Sequence, residues 1–269
     1  MKISIKCGHT ERDHGSSRMY DLINASTRLA ASLSMTGKVA FKINDLSLII
    51  LLFSTKSSFC LPQGFVYLND PRIIVTLMYA GNDNFMGRPA KGYIKNNCCI
   101  VTTQAAQALK KAQDLLEKQH KRYHLHVYDA YRPQQAVDDF MAWGKTDDTA
   151  TKQKYYPALS KEELFKKNYI FKQSSHSRGS TVDVTICMVN KDGAVDDIDM
   201  GTIVDFFGEQ AHTDTALVSQ QAQRNRALLT SIMQQAGFKG CSLEWWHFTL
   251  RNEPFGATHN SSYHNFLVQ

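Results

Sequence analysis

Between residues 103 and 120 the apolar residues Ala106, Leu109, Ala112, Leu115 and Leu116 fall on one face of a helix and the charged residues on the others. A stripe of that kind is stable only against an apolar partner surface. The neighbouring sequence offers strands to supply it. Residues 73–79 are rich in β-branched side chains, 125–130 alternate in polarity, and 182–188 and 244–250 read as two further strands. The chain from residue 61 onward is therefore expected to be an α+β domain in which helices pack on a sheet.

Local signals place the joints of that domain. The strand at 125–130 leads into Tyr131-Arg132-Pro133, and proline suits the first turn of a helix. A helix should follow to about Trp143, leaving Arg132 where strand hands over to helix. Ser160-Lys-Glu-Glu163 has the form of a capping box. A longer helix over 215–236 should close at Gly237, since glycine takes the left-handed conformation that ends a helix. No internal repeat is present.

The formal net charge of +6 would suggest a polyanion partner if it lay along one stripe. It does not. Residues 1–60 hold 8 Lys/Arg against 4 Asp/Glu, and the rest of the chain holds 23 against 21. The main body is a mixed, solvated surface, and no nucleic-acid partner is expected. The six cysteines form no CxxC pair, which argues against a thiolate zinc site or a dithiol redox motif. Cys98 and Cys99 are adjacent and do not bridge each other easily; one of them could pair with Cys187 or Cys241 in an oxidising compartment.

Residues 1–60 read as an amino-terminal extension ahead of a domain at 61–269. The apolar run from Leu46 to Phe53 is too short for a membrane helix, which needs about 20 residues. It suits the core of a signal peptide: Lys38 and Lys42 precede it, and Ser58-Phe59-Cys60 places small residues where a signal peptidase reads them. A start at Met35 would give such a leader ordinary length. The other reading is a buried strand, in whose favour Asp45 counts. The expectation is an exported, periplasmic protein with no stable membrane span, and cytoplasmic location is the alternative.

Two segments carry the chemistry. Ser174-Ser-His-Ser-Arg-Gly-Ser-Thr-Val-Asp183 holds a histidine and an aspartate seven positions apart with Gly179 between, a span that can cross a turn and bring both to one point. Glu244-Trp-Trp-His247 holds an acid and an imidazole three apart. On a regular strand an odd spacing sends side chains to opposite faces, so an irregularity is expected between the tryptophans. Singly, each segment is an ordinary polar turn or a core histidine. Together, two histidines and one carboxylate leave a fourth position for water, as catalytic zinc requires, and a second carboxylate remains free to handle protons.

These segments, together with Asp129-Ala-Tyr-Arg-Pro133, resemble the signature stretches of the VanX-type D-alanyl-D-alanine dipeptidases, a group of zinc peptidases. The similarity continues through Asn84-Phe-Met-Gly87, Tyr155-Tyr-Pro157 and Met200-Gly201 and covers roughly residues 63–250. The resemblance implies a single α+β domain with a central, mainly antiparallel sheet flanked by helices. It implies one zinc ion on His176, Asp183 and His247, Glu244 as general base, and Arg132 stabilising the transition state. Tyr79, Ser174 and Asp205 match positions that line the family's small substrate pocket. The expected substrate is a small D,D-dipeptide, cleaved in peptidoglycan recycling or cell-wall remodelling. Rival readings are a zinc D,D-carboxypeptidase or endopeptidase acting on peptidoglycan stems, and a non-catalytic zinc-binding module, which would need neither Glu244 nor Arg132. Oligomeric state is not legible.

Overall fold

The computed structural model of the chain describes residues 61–256 and 263–269. The signal-peptide core, the start at Met35 and the cleavage site read from segment 1–60 lie outside the described residues.

A two-stranded antiparallel ribbon pairs β1 (Phe65–Tyr67) with β3 (Ile100–Thr102). The main sheet runs in the order β2 (Ile74–Val75), β4 (Tyr123–Asp129), β5 (Thr181–Val189), β8 (His247–Leu250) and β7 (Phe238–Gly240). β6 (Val195–Asp197) pairs with the far end of β5. β2 is parallel to β4, and the other strands of this sheet pair antiparallel. This is the mainly antiparallel α+β arrangement expected.

The long helices form where their apolar stripes predict. α1 (Thr103–Gln119) starts at Thr102, whose hydroxyl accepts from the Ala105 amide, and buries Leu109, Ala112 and Leu116. Gln113 is also buried: its amide donates to the Tyr123 carbonyl and accepts from the Leu125 amide, tying α1 to β4. α5 (Gln220–Ala236) buries Leu229, Ile232 and Met233 and ends at Gly237 with φ +110°. Its start differs from the expected residue 215, because Ser219 caps the Ala222 amide and fixes the first turn there. Both helices share one core with Leu125, Val127, Val182, Val184 and Ile186 of the sheet. The alternate residues of β4 and β5 consequently face the other way.

That second face positions the site. A separate aromatic cluster containing Tyr79, Phe85, Phe140 and Trp143 builds up around it, with α2 (Gln134–Trp143), α3 (Lys152–Tyr155) and α4 (Lys161–Lys166). Pro133 is the cap of α2 and not its first helical residue. The capping box at Ser160 and Glu163 is complete. The expected strand at 73–79 is mostly absent: after Val75 the chain leaves the sheet and forms a 3-10 turn over Met78–Ala80, burying Leu77 and Tyr79. Tertiary burial there outweighs β propensity. Among the described residues Cys98, Cys99, Cys187 and Cys241 form no disulfide. Among the described residues no helix is long and apolar enough to cross a membrane.

Gly179 ends the 3-10 turn Ser175–Arg178 at φ +76°, and a Cβ there would stand 2.2 Å from Phe65 Cε1. Left-handed backbone costs an L-residue about 1–2 kcal/mol before any clash. Gly179→Ala should therefore lower unfolding free energy by at least about 1 kcal/mol, as read by urea denaturation; unchanged stability would contradict this account of the turn.

Candidate metal centre

In the register of the sheet, Asp183 on β5 stands opposite Asp129 on β4 and opposite His247 on β8. Directly paired residues project from the same face, so these three side chains form one rank across the sheet. Asp129 joins it through a register irregularity after Val127. His176 arrives from the turn Ser175–Arg178, which Ser174 caps and Gly179 closes.

The expected odd spacing at Glu244 and His247 is resolved by where the strand begins. β8 starts at His247. Trp245 and Trp246 occupy a turn in which the His247 amide donates to the Glu244 carbonyl at 3.4 Å. Glu244 is thus free of the sheet's alternation, and its Oε2 lies 3.5 Å from His247 Nδ1.

Three atoms converge. His176 Nε2 is 3.3 Å from His247 Nδ1, His176 Nε2 is 3.3 Å from Asp183 Oδ1, and His247 Nδ1 is 3.2 Å from Asp183 Oδ1. His176 Nδ1 lies 2.8 Å from the Ala130 carbonyl, which can only accept, so Nε2 carries the lone pair. His247 Nε2 is 3.3 Å from Ser175 Oγ, which directs Nδ1 inward. Asp183 Oδ1 is sealed from solvent without a hydrogen-bond partner among the described residues. A single proton could link two of these acceptors but not all three.

A divalent cation satisfies all three at once. A tetrahedral ion with ligand arms of about 2.0–2.1 Å has edges of about 3.3 Å, and the measured triangle has sides of 3.2 and 3.3 Å. The residues present therefore fit a metal. Burial pushes His176 below the ordinary imidazole value, toward the neutral form that ligates. Burial alone would raise Asp183, yet the two imidazoles hold it well below the usual carboxylate range.

All the expected site residues meet at one cavity of about 540 Å³: Arg132, Glu244, Tyr79, Asp205 and Ser174 line it beside the three candidate ligands. Burial, with the Asp183 charge adding to it, pushes Glu244 up to about 7. Arg132 is clamped by Nε to Asp129 Oδ2 at 2.8 Å and by Nη2 to Asp183 Oδ2 at 3.3 Å. Its guanidinium also lies 4.8 Å from the centre of the Tyr79 ring. Tyr79 donates to Asp205 Oδ2 at 2.6 Å, and Asp205 holds a left-handed φ of +61°.

Two residues of this network escaped the sequence reading. Asp129 is wholly buried, accepts from Tyr93 and Arg132, and lies 3.4 Å from His176 Nδ1. Ser175 orients His247. The carboxylate three positions before Arg132 was the signal available for Asp129.

The model of peptidase family M15, described as D-ala-D-ala dipeptidase, matches residues 68–269. A D-alanyl-D-alanine dipeptidase of Enterococcus faecium is 39% identical over 71% of this chain and 90% of its own. One of Enterococcus faecalis is 38% identical over 77% of this chain and 98% of its own. One of Escherichia coli is 34% identical over 67% of this chain and 80% of its own. The matched region extends past the signature segments to the carboxyl end, where Phe266 stacks on Tyr131.

Partners that orient ligating histidines typically carry 10–100-fold in metal affinity. Ser175→Ala, which removes the hydroxyl beside His247 Nε2, should weaken divalent-metal binding by about that factor in competition with a chromophoric chelator, whereas His176→Ala or His247→Ala should bind one equivalent fewer than the wild-type protein at saturation. Full affinity in Ser175→Ala would remove the orienting role.

Proposed function

The chain belongs to the D-ala-D-ala dipeptidase family of the M15 peptidases, and on that premise we propose that it hydrolyses D-alanyl-D-alanine to D-alanine with a zinc ion held by His176, Asp183 and His247. It is a metallopeptidase. The observation that carries the reading is the triangle of ligand atoms with a fourth, non-ligating carboxylate, Glu244, beside it.

Two imidazoles and a carboxylate at tetrahedral spacing suit zinc better than calcium or magnesium, which favour oxygen ligands. His176, Asp183 and His247 would hold the zinc, which when bound would acidify a water and polarise the scissile carbonyl. Glu244 takes the proton of the attacking water and passes it to the departing amine. Its carboxyl, pushed up to about 7, is suited to both halves of that transfer near neutral pH. Arg132 Nη1 has no hydrogen-bond partner among the described residues, while Nε and Nη2 are held by carboxylates. The fixed guanidinium can thus present a donor to the developing oxyanion without reorganising.

The far wall fits the substrate's ammonium. Burial, with the Asp183 charge adding to it, pushes the Asp205 carboxyl up to about 8, so a cationic partner is what would ionise it at neutral pH. Tyr79 fixes its orientation. Ser174, whose hydroxyl accepts from the His176 amide, borders the same cavity. Phe140 and Phe207 close the apolar side.

Location rests on the sequence alone: the leader-like run before residue 61 supports action outside the cytoplasm, in recycling or remodelling of the wall. A mature amino terminus near residue 61, found by terminal sequencing of protein from cells, would support this; a cytosolic product retaining residues 1–60 would exclude it.

Glu244→Ala should keep the metal and lose about 10²–10⁴-fold in kcat. Arg132→Lys should lose a substantial part of the ~2.7–4 kcal/mol typical of an oxyanion donor. Free D-alanyl-D-alanine should be cleaved far faster than a pentapeptide stem. Preferential release of D-alanine from the stem would instead establish a carboxypeptidase, and metal binding without either activity a binding module.

A further inference from the structure

The face of the sheet that bears the metal centre continues along β5 through Thr185 to Cys187, while Val184 and Ile186 point into the opposite core. Cys187 is in register with His124 on β4 and with Asp197 on β6, and His126 stands diagonally across from it. Sγ of Cys187, one ring nitrogen of His126 and one carboxylate oxygen of Asp197 lie within 4.8 Å of one another.

Several features set this cluster apart from an ordinary hydrogen-bonded core. His126 Nδ1 is held 2.8 Å from Asp197 Oδ1, and the Tyr128 hydroxyl donates to Asp197 Oδ2 at 2.6 Å. The other ring nitrogen, His126 Nε2, is sealed from solvent with no hydrogen-bond partner among the described residues. Thr185 Oγ1, on the residue directly opposite His126 in the register, is likewise sealed and unpartnered. His126 and Thr185 are only 6% and 1% exposed. Buried polar groups are normally satisfied, so two such atoms on one paired position mark a place that a ligand would complete. Asp197, Tyr128 and Thr185 also border a second cavity, of about 440 Å³, so the cluster opens to it on the side of Asp197.

We propose that His126, Cys187 and Asp197 form a second site for a thiophilic divalent transition metal such as zinc, separate from the centre at Asp183 and tying β6 to the main sheet. Thiolate and imidazole select this class of ion over magnesium or calcium, and a carboxylate completes a mixed three-ligand set. Thr185 Oγ1 offers a hydrogen bond to a water in the remaining position. Binding replaces the S–H bond of Cys187 with a sulfur–metal bond and releases the proton to solvent. The site does not depend on the peptidase reading, because it shares no ligand with the first centre.

Cobalt(II) distinguishes the two. The centre at Asp183 has only nitrogen and oxygen in its candidate ligand set, so a near-ultraviolet thiolate-to-cobalt charge-transfer band that depends on Cys187 distinguishes the second site from the first. Titration of the full-length, chelator-stripped protein should bind two equivalents and develop this band. Cys187→Ser should lose the band and one equivalent while retaining the other. Asp197→Asn, at a more exposed position of the cluster, should weaken the binding that gives the band and guards against a folding defect in the cysteine variant. Cys241→Ser, which alters the only cysteine bordering the first cavity among the described residues, should keep the band. Absence of a thiolate band in the wild-type protein overturns the proposal, as does a band that survives Cys187→Ser. Failure of the first centre to bind metal would leave the band in place.

Discussion

Asp183 is a buried carboxylate in the middle of a sheet, and its presence there depends on the two strands that flank it. The pairing of β5 with β4 and β8 delivers Asp129 and His247 to its sides on one face. Burying an isolated carboxylate would be strongly unfavourable. Here the Arg132 guanidinium compensates it, and a divalent cation between it and the two imidazoles would complete the arrangement. The register is therefore the constraint on which ligand geometry, the placement of Arg132 and the shape of the cavity all rest.

Around that rank, parts of the chain distant in sequence are held by rigid devices and not by loops alone. Gly179 and Ser174 set the turn that presents His176. The double-tryptophan turn releases Glu244 from strand alternation, and Trp245 anchors it by donating from its amide to the Ala211 carbonyl and from its indole to Thr202. Arg226, buried and with no carboxylate partner among the described residues, donates to the carbonyls of Met200, Gln210 and His212, and so braces the segment bearing Asp205 from the side of α5. Such support is what holds a catalytic carboxylate and its ligands within hydrogen-bond reach of one another.

The sequence was legible where the physics is local. Helix α1 could be read from its apolar stripe and the end of α5 from Gly237, because period and capping are properties of short stretches. The strand expected at 73–79 failed for the converse reason: β-branched residues favour extended backbone, but Leu77 and Tyr79 gain more by turning into the aromatic cluster. The start of α5 moved from 215 to 220 because a serine cap, not the apolar pattern, fixes the first turn. Asp129 was missed although its motif was in view, since its role exists only once Arg132, Tyr93 and His176 surround it.

By itself the sequence determined the chemical inventory: two histidines, an aspartate, a free glutamate and an arginine, in segments long and specific enough to mark their family. It also required an irregularity between Trp245 and Trp246, because strand alternation forbids their flanking residues from facing one way. Only the tertiary structure decided that β8 begins at His247, that Nε2 of one imidazole and Nδ1 of the other face Asp183, and that Asp129 clamps Arg132 beside them. Side-chain identity is written residue by residue, whereas convergence is set by hydrogen-bonded pairing between strands more than fifty residues apart, which no local pattern encodes.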